Sequence, residues 1–179
     1  MANYYFMSAV GADRPGIVAA VTEELFRLGC NLEDSAMMRL GSEFGIFLIF
    51  TTSKKLSVSG HGSLQRIGKK WKLFVSLKDI SPSEARFQPA KNSFIVAVHG
   101  QDRPGIVSAV TRCLTDERFN ITDLSTHRTT QGPRPGYILF IEGELLRSGS
   151  PESLQRRLLV LGTKLRTKIT VQPVAPSAL

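Results

Sequence analysis

A ten-residue segment occurs twice in the chain, and this repeat constrains the fold more than any other sequence feature. Residues 13–22 (DRPGIVAAVT) match residues 102–111 (DRPGIVSAVT) at nine of ten positions, with an offset of 89 residues. Such a dense match at a fixed offset indicates an internally duplicated unit. The 179 residues are therefore predicted to form two copies of one module.

The domain limits follow from the repeat and from a polar, proline-containing stretch between the copies. We predict a first domain at residues 1–80, a linker at 81–91, a second domain at 92–173 and a flexible tail at 174–179. Domains of this size bury only about 60 to 65% of the surface of their unfolded chain. They commonly gain stability by packing on each other or on a partner chain, so we also expect a homodimer.

Hydrophobic periodicity assigns the same order of elements to both copies. In the first copy, strands are predicted at 4–10, 31–40, 44–51 and 73–80, and helices at 15–28 and around 64–71. In the second copy, strands are predicted at 94–98, 121–129, 137–141 and 166–171, and helices at 104–116 and 152–162. This β-α-β-β-α-β order predicts an α+β protein made of two ferredoxin-like modules. In each, two helices cover one face of a four-stranded antiparallel sheet.

Three local features refine this prediction. The strand at 44–51 is almost continuously apolar, which indicates cover on both of its faces. Trp71, the only tryptophan, has helical spacing with Leu64 and Ile67, which favours a core position over a binding platform. Residues 131–136 (QGPRPG) lengthen a hairpin of the second copy, and we expect them to form a stiff projecting loop.

The repeated motif lies where a strand turns into a helix. Pro15 is predicted to occupy the first helical turn, where its missing N–H costs nothing, and Gly29 to end that helix. Gly11 and Gly16 allow a sharp turn and the close approach of another group. The free amides at such a helix start form a site for a carboxylate or a phosphate. The carboxylate of Asp13 could accept from a ligand ammonium or cap the backbone of its own loop.

Composition and residue placement argue against several other kinds of protein. The longest apolar run, residues 46–50, is too short to cross a membrane, and we see no signal peptide. Cys30 and Cys113 do not occupy equivalent positions in the repeat, which favours free thiols in a reducing cytoplasm. The histidines have no metal-ligand spacing, so neither a metal nor another cofactor is expected; they are His61, His99 and His127.

Positive charge is concentrated in the second half of a chain whose net charge is +8. Much of the excess lies on and after the last predicted helix, where Arg156, Arg157, Lys164, Arg166 and Lys168 occur. Such a cluster can attract a polyanion or an acidic protein surface, although a solvated helix face is the simpler interpretation. The basic last helix and the 132–136 loop are our candidates for a partner surface.

A second repeated element follows the first. Asn31-Leu32-Glu33-Asp34 corresponds to Asn120-Ile121-Thr122-Asp123, and each asparagine lies 18 residues after the aspartate of its motif. A strand, then Asp-Arg-Pro-Gly-Ile-Val, a helix and an Asn-hydrophobic strand start together resemble the ACT domain, a small-molecule regulatory module. The first copy is most similar to the glycine cleavage system transcriptional repressor family, whose members are free-standing tandem ACT proteins.

This resemblance implies a non-catalytic regulator that senses a small amino acid such as glycine or serine. ACT modules bind amino acids between a strand-to-helix loop and a neighbouring module, and the repressor family acts through protein contact with a transcriptional activator. A histidine that some members use for ligand contact falls on Gly11 and Gly100 here. The predicted ligand-binding residues are Gly11, Asp13, Arg14, Pro15, Gly16, Ile17, Asn31, Gly100, Asp102, Arg103, Pro104, Gly105, Ile106 and Asn120.

The residues themselves offer matching chemistry. The amides near Gly16 and Ile17 suit a carboxylate, whereas Asp13 and the side-chain oxygen of Asn31 suit an ammonium. Alternatively, Asn31 could simply tie its strand to the loop. Glycine has five heavy atoms, and a ceiling of about 1.5 kcal/mol per atom limits its affinity to the micromolar range.

Two other functions have less support in the same sequence. An enzyme using Arg14 and Arg103 for acyl-phosphate hydrolysis would need a nucleophile and a base, and no such pair recurs with the motif. RNA-binding modules share the predicted fold, and residues 44–50 resemble their aromatic third strand. Glu43 stands where a basic residue is expected, however, and we see no helix-turn-helix pattern for direct DNA binding.

Overall fold

The computed structural model describes residues 2–86, 92–129 and 136–174. The chain divides into two compact units, residues 1–87 and 88–179. Part of the predicted linker (87–91), most of the predicted projecting loop (131–135) and most of the predicted tail (175–179) lie outside the described residues.

Each unit has the β-α-β-β-α-β order that the sequence predicts. The first contains β1 (Asn3–Ala12), α1 (Ile17–Arg27), β2 (Cys30–Leu40), β3 (Glu43–Thr52), α2 (Val58–Trp71) and β4 (Leu73–Ile80). The second contains β5 (Ser93–Gln101), α3 (Ile106–Asp116), β6 (Phe119–Thr129), β7 (Gly136–Leu145), α4 (Pro151–Leu165) and β8 (Lys168–Pro173).

The strands of each unit form one antiparallel sheet, ordered β2-β3-β1-β4 in the first unit and β6-β7-β5-β8 in the second. The predicted tandem ferredoxin-like fold is therefore confirmed. In both units the outer strands are edges of the sheet, and the strand-to-helix motif follows the central strand β1 or β5.

One face of each sheet forms the core with the two helices. Along β1, alternate residues are buried on the helix side, namely Tyr5, Met7 and Ala9. Helix α1 contributes Ile17, Val21 and Leu25, four residues apart on one side of the helix. The second core repeats this arrangement with Val96, Val98, Ile106, Val110, Leu114, Leu139, Ile141, Leu154 and Leu158.

The opposite face of the first sheet is less covered than predicted. On β3, Ile46, Leu48 and Phe50 are buried in the core, whereas Phe47 points to the other face and is 38% exposed. The expectation of cover on both faces of this strand is therefore wrong at Phe47. Its apolar character instead leaves a hydrophobic side chain at the surface.

Gly29 and Trp71 lie as the sequence predicts. Gly29 follows α1 with a φ of +70°, as expected for a glycine that ends a helix. Trp71 is half-buried and packs on the first core. Cys30 and Cys113 are free thiols, and burial raises the pKa of Cys30 to about 11. Among the described residues, no helix is both long and apolar enough to cross a bilayer.

Candidate functional site

The repeated Arg-Pro-Gly-Ile segment forms a tight turn at the end of β1. Gly16 has φ +93° and ψ −5°, which are the angles of the third residue of a type II turn, with proline favoured just before it. The amide of Ile17 donates to the carbonyl of Arg14 at 3.4 Å, which closes the turn. Gly105 has nearly the same angles, φ +90° and ψ −5°, so both copies build the same turn.

The proline and the first glycine of the motif therefore have different roles from those predicted. Helix α1 begins at Ile17 and α3 at Ile106, so Pro15 and Pro104 precede the helix instead of occupying its first turn. Proline and glycine occupy the two central positions of the turn, and the helix starts only after it. The placement of Pro15 in the first helical turn was wrong for this reason.

Gly11 and Gly100 lie within strands and permit close packing, not a sharp turn. A Cβ on Gly11 would lie 2.6 Å from the carbonyl oxygen of Lys72, and one on Gly100 would lie 2.5 Å from Cγ2 of Thr167. Protein atoms therefore fill the direction in which a side chain would project. The histidine that some family members carry at this position would not fit here without movement of the backbone.

The helix starts are open to solvent. The amides of Ala20 and Ala109 donate to the carbonyls of Gly16 and Gly105, both at 2.9 Å. The earlier amides, such as that of Val18, have no acceptor in the described parts of the chain. Residues 12–16 are exposed. There is room beside the turn for an anionic group, as the predicted binding role requires.

The two turns differ in what covers them. The indole of Trp71 lies over the first turn, 3.1 Å from where a Cβ on Gly16 would be. Its Nε1 is buried and lacks a hydrogen-bond partner in the described structure. By contrast, nothing lies within 4 Å of the corresponding position on Gly105. The second turn is therefore the more accessible of the two.

The motif aspartates form ion pairs with arginines of a neighbouring strand. Asp13 lies 3.6 Å from Arg39 on β2, and Asp102 lies 2.7 Å from Arg128 on β6. Neither helix has a side-chain cap bond, so the capping interpretation of Asp13 is wrong. Sequence reasoning missed both arginines, although they are themselves 89 residues apart and the repeat offset could have revealed them.

The motif arginines are exposed. Arg103 donates to the side-chain oxygen of Gln101 at 3.3 Å, while Arg14 has no side-chain partner in the described residues. Both side chains lie at the solvent-exposed turn and are free to reorient toward an anion. Their position suits recruitment of a carboxylate to the helix start.

Asn31 is held by a carboxylate at the start of β2. Its amide nitrogen donates to Glu33 Oε1 at 3.1 Å, and the hydroxyl of Thr51 donates to the same oxygen at 2.7 Å. These two hydrogen bonds, that from Thr51 foremost, hold the pKa of Glu33 below its usual value of 4.5. The side-chain oxygen of Asn31 has no donor among the described residues and could accept from an ammonium.

Asn120 is held in the same way, but its carboxylate comes from another strand. Its amide nitrogen donates to Glu144 Oε1 at 3.0 Å. Glu144 pairs with Asn120 across the sheet, as Thr51 pairs with Asn31. Conversely, Thr122 occupies the repeat position of Glu33, and both lie at a β-bulge. The two units have thus exchanged the positions of glutamate and threonine around an unchanged asparagine.

The two parts of the predicted site do not meet within one unit. The register pairs Asn31 with Thr51 and Thr51 with Tyr4, near the beginning of β1. Asp13, in contrast, follows Ala12 at the opposite end of that strand. The eight residue steps from Tyr4 to Ala12 span roughly 25 Å. Asn31 therefore cannot tie its strand to the loop.

Each sheet thus carries complementary chemistry at its two ends. The turn end offers free amides, the positive end of a helix and an arginine, all of which suit a carboxylate. The strand-start end offers a carboxylate and an amide oxygen, which suit an ammonium. Within one module, a small zwitterion cannot reach both groups at once.

The chain is similar to known proteins both in sequence and in fold. Two ACT domain profiles match it, at residues 4–73 and 94–147. The glycine cleavage system transcriptional repressors of Escherichia coli (strain K12) and Shigella flexneri are each 30% identical to it over 122 residues. That alignment covers 68% of this chain but only 63% of the length of each relative.

Solved structures share the fold over nearly the full length. An unknown protein from Galdieria sulphuraria superposes with a TM-score of 0.80 at 21% identity, covering 98% of this chain and 100% of that one. A crystal structure provisionally assigned as a glycine cleavage system transcriptional repressor superposes with a TM-score of 0.68 at 22% identity, covering 97% and 98% respectively. At these identities the likeness concerns the fold alone.

Proposed function

Because the chain belongs to the ACT domain family and carries two such domains in tandem, we propose that it is a non-catalytic regulator that binds a small amino acid. The observation that carries this proposal is the duplicated chemistry of the two sheet ends. A donor-rich turn and an acceptor-rich strand start recur in both domains, with the asparagine amide oriented by a carboxylate each time.

The proposed binding site is composite. The turn end and the strand-start end of one domain are roughly 25 Å apart, which is too far for a small amino acid to contact both. The site therefore takes its carboxylate-binding amides from one domain. It takes its ammonium acceptors from a domain of a second copy of the chain, in a homodimer. Enclosure between two domains also suits a ligand as small as glycine or serine, which has too few atoms to bind tightly on an open surface.

Regulation is proposed to proceed through contact with another protein. The curated relatives are described as transcriptional repressors of the glycine cleavage system, and by analogy the partner would be a transcriptional activator in the cytoplasm. An amino acid can shift the packing of two domains only by its difference in affinity for the two arrangements. A site shared between domains provides such a difference, because only one arrangement completes it.

Amino-acid binding can be tested by thermal denaturation of the full chain with each of the twenty amino acids. Glycine or serine is expected to raise the melting temperature, and Asn31→Ala and Asn120→Ala to abolish the increase. Gln155→Ala, an exposed polar change on α4, serves as the control and should retain it. The absence of an increase with every amino acid at millimolar concentration would contradict the proposal.

RNA binding is a second candidate, because two aromatic rings stack on the open face of the first sheet. Phe6 on β1 and Phe47 on β3 have ring centroids 6.0 Å apart, in a position where RNA-binding sheets stack bases. Asp34 lines the same hollow, however, and its negative charge disfavours phosphates. In the second unit, Asp123 and Glu142 line the corresponding surface, which favours the amino-acid proposal.

The RNA candidate is tested by fluorescence anisotropy with labelled single-stranded RNA. If the protein binds RNA, the affinity should decrease as the salt concentration rises. Phe47→Ala should reduce the affinity at least fivefold, since stacking of one base contributes about 1–3 kcal/mol. No change in the anisotropy of the labelled RNA at low salt would contradict RNA binding.

A further inference from the structure

The second unit has a groove of about 430 Å³ between helices α3 and α4. Its apolar floor includes Cys113, Val160 and Leu161, and its rim carries Arg112, Arg156 and Lys164. We refer to these six residues as the basic groove. It lies on the helical side of the domain, away from the strand-start asparagine.

The floor of the basic groove leaves one apolar side chain largely exposed beside the half-buried Leu161. Val160 is 65% exposed, although the neighbouring Leu158 is fully buried in the core. Helix α4 therefore presents apolar side chains on its outer surface as well as toward the sheet. An exposed apolar side chain beside a concave, charge-rimmed groove can serve as an anchor point for another protein.

The rim charges are available to a partner. Arg157 also lines the groove, but its guanidinium is already bound to Asp116 at 3.2 Å and to Glu117 at 2.8 Å. Arg112, Arg156 and Lys164, in contrast, form no ion pair with any residue that the structure describes. Hydrogen bonds from serine hydroxyls foremost, and Arg156 at longer range, lower the pKa of the carboxyls of Glu117 and Glu152. Three cations around an apolar floor, none of them in an ion pair with a described residue, favour a partner that combines carboxylates with apolar side chains.

The first unit shows that the fold does not by itself require such a groove. The buried residues Leu64 and Gly68 of α2 correspond to Leu158 and Gly162 of α4. This alignment places Gly62 at the position of Arg156 and Arg66 at that of Val160. On the facing helix, Glu23 replaces Arg112. The first unit thus lacks the apolar floor residue and carries the opposite charge at one rim position.

We propose that the basic groove binds an acidic amphipathic helical segment of a partner protein. Apolar side chains of that segment would enter between α3 and α4, and its carboxylates would pair with Arg112, Arg156 and Lys164, in the manner of a helix seated in a groove. A second copy of this chain is a poor occupant, because each copy has a net charge of +8. Nucleic acid would gain little from the apolar floor. The inference rests on the proposed regulation by protein contact but not on amino-acid binding.

The test uses the full chain and a fluorescein-labelled helical peptide of about 18 residues, with leucines at three- and four-residue spacing and glutamates elsewhere. Anisotropy should increase on binding to the wild type. Arg156→Glu with Lys164→Glu should weaken binding about tenfold or more, because two attractive pairs become repulsive. The matched control is Lys70→Glu, which changes the position in the first unit equivalent to Lys164 and should leave binding unchanged.

A second variant separates apolar from electrostatic binding. Val160→Ser keeps every charge and changes only an exposed side chain, so it should fold normally and weaken peptide binding about threefold to tenfold. Labelled double-stranded DNA and single-stranded RNA are titrated in parallel. No peptide binding by the wild type, equal weakening by Lys70→Glu, or tight nucleic-acid binding insensitive to Val160→Ser would each overturn the proposal.

The outcome is independent of the amino-acid sensor. The thermal response to glycine or serine is measured on the same variants. The peptide binding of the wild type is measured even if no amino acid raises the melting temperature. Peptide binding without any amino-acid response would retain the basic groove and reject the sensor, whereas the reverse pattern would reject only the groove.

Discussion

Trp71 covers Gly16 in the first domain, with its ring 3.1 Å from where a Cβ on that glycine would lie. The repeat contains no second tryptophan, and Gly105 at the equivalent turn has open space around it. Two turns with the same backbone angles therefore differ in their surroundings. This difference makes the pair a natural comparison for the first prediction.

We expect Gly16→Ala to destabilise the protein more than Gly105→Ala does. Both changes place a Cβ on a residue with positive φ, which costs about 1–2 kcal/mol. Gly16→Ala must in addition displace the indole of Trp71, so its total cost should reach about 2–4 kcal/mol. Urea denaturation followed by circular dichroism measures both, and equal losses would show that the ring yields without cost.

Removing the Tyr5 hydroxyl should destabilise the first domain. This oxygen accepts from the amide of Leu56 at 3.0 Å in a buried position. Tyr5→Phe leaves that amide without an acceptor, which costs about 1–3 kcal/mol. The half-buried Tyr4 forms no such bond in the described residues, so Tyr4→Phe is the control. Fluorescence of Trp71 during urea denaturation reports on this domain, and similar midpoints for the two variants would contradict the prediction.

The second domain should depend on Arg157, which bridges α4 to the end of α3. Its guanidinium pairs with Glu117, whose side chain is only 8% exposed. Arg157→Met keeps the apolar stem but removes the ion pair of this nearly buried carboxylate, so the urea concentration at the unfolding midpoint should decrease. Arg112→Met, an exposed change on α3 that breaks no ion pair in the described structure, is the control, and denaturation by urea distinguishes the two.

The same carboxylate predicts a loss of stability in acid. The hydroxyl of Ser153, and after it Arg157, hold the pKa of Glu117 below its usual value of 4.5. A carboxyl with a lowered pKa in the folded protein stabilises it above the unfolded value, and this contribution is lost as the pH falls through the folded value. The melting temperature should thus decrease below about pH 4.5 and decrease less steeply in Glu117→Gln. Parallel curves would contradict this assignment.

Amino-acid binding, if it uses Glu33, should not change between about pH 5 and 8. The hydroxyl of Thr51 and the amide of Asn31 lower the pKa of Glu33 below 4.5, so the carboxylate stays ionised across this range and can hold an ammonium. Affinity should decline only in more acidic solution. Calorimetric titration with glycine at several pH values measures this, and Glu33→Gln, in which the charge is absent throughout, should bind weakly at every pH.

The fold was predictable because its determinants are local and periodic. The spacing of Ile17, Val21 and Leu25 fixes the buried side of α1, and the duplicated motif doubles the evidence for every element. The start of the helix was misplaced at Pro15 because a proline before a glycine satisfies both a helix start and a type II turn. Only the left-handed conformation of Gly16 distinguishes the two.

The candidate site was only partly predictable, because its neighbours come from other strands. The sequence identified Asp13 and Asn31, yet their partners Arg39 and Thr51 depend on the register of β2 and β3. The distance along the sheet between Asp13 and Asn31 also depends on that register. Residue types indicate which groups can bind a zwitterion, whereas strand pairing decides which of them are neighbours.

The exchanged positions of glutamate and threonine have a consequence for the history of this duplicated gene. Copying the Glu33 strand into the second half would bring its carboxylate against Glu144, and the reverse transfer would remove both acids from around the asparagine. Either transfer would destabilise the protein, through repulsion between like charges in paired strands or through loss of the hydrogen bond from the asparagine amide to a carboxylate. The two strands that surround each asparagine must therefore change together if its local architecture is to be kept.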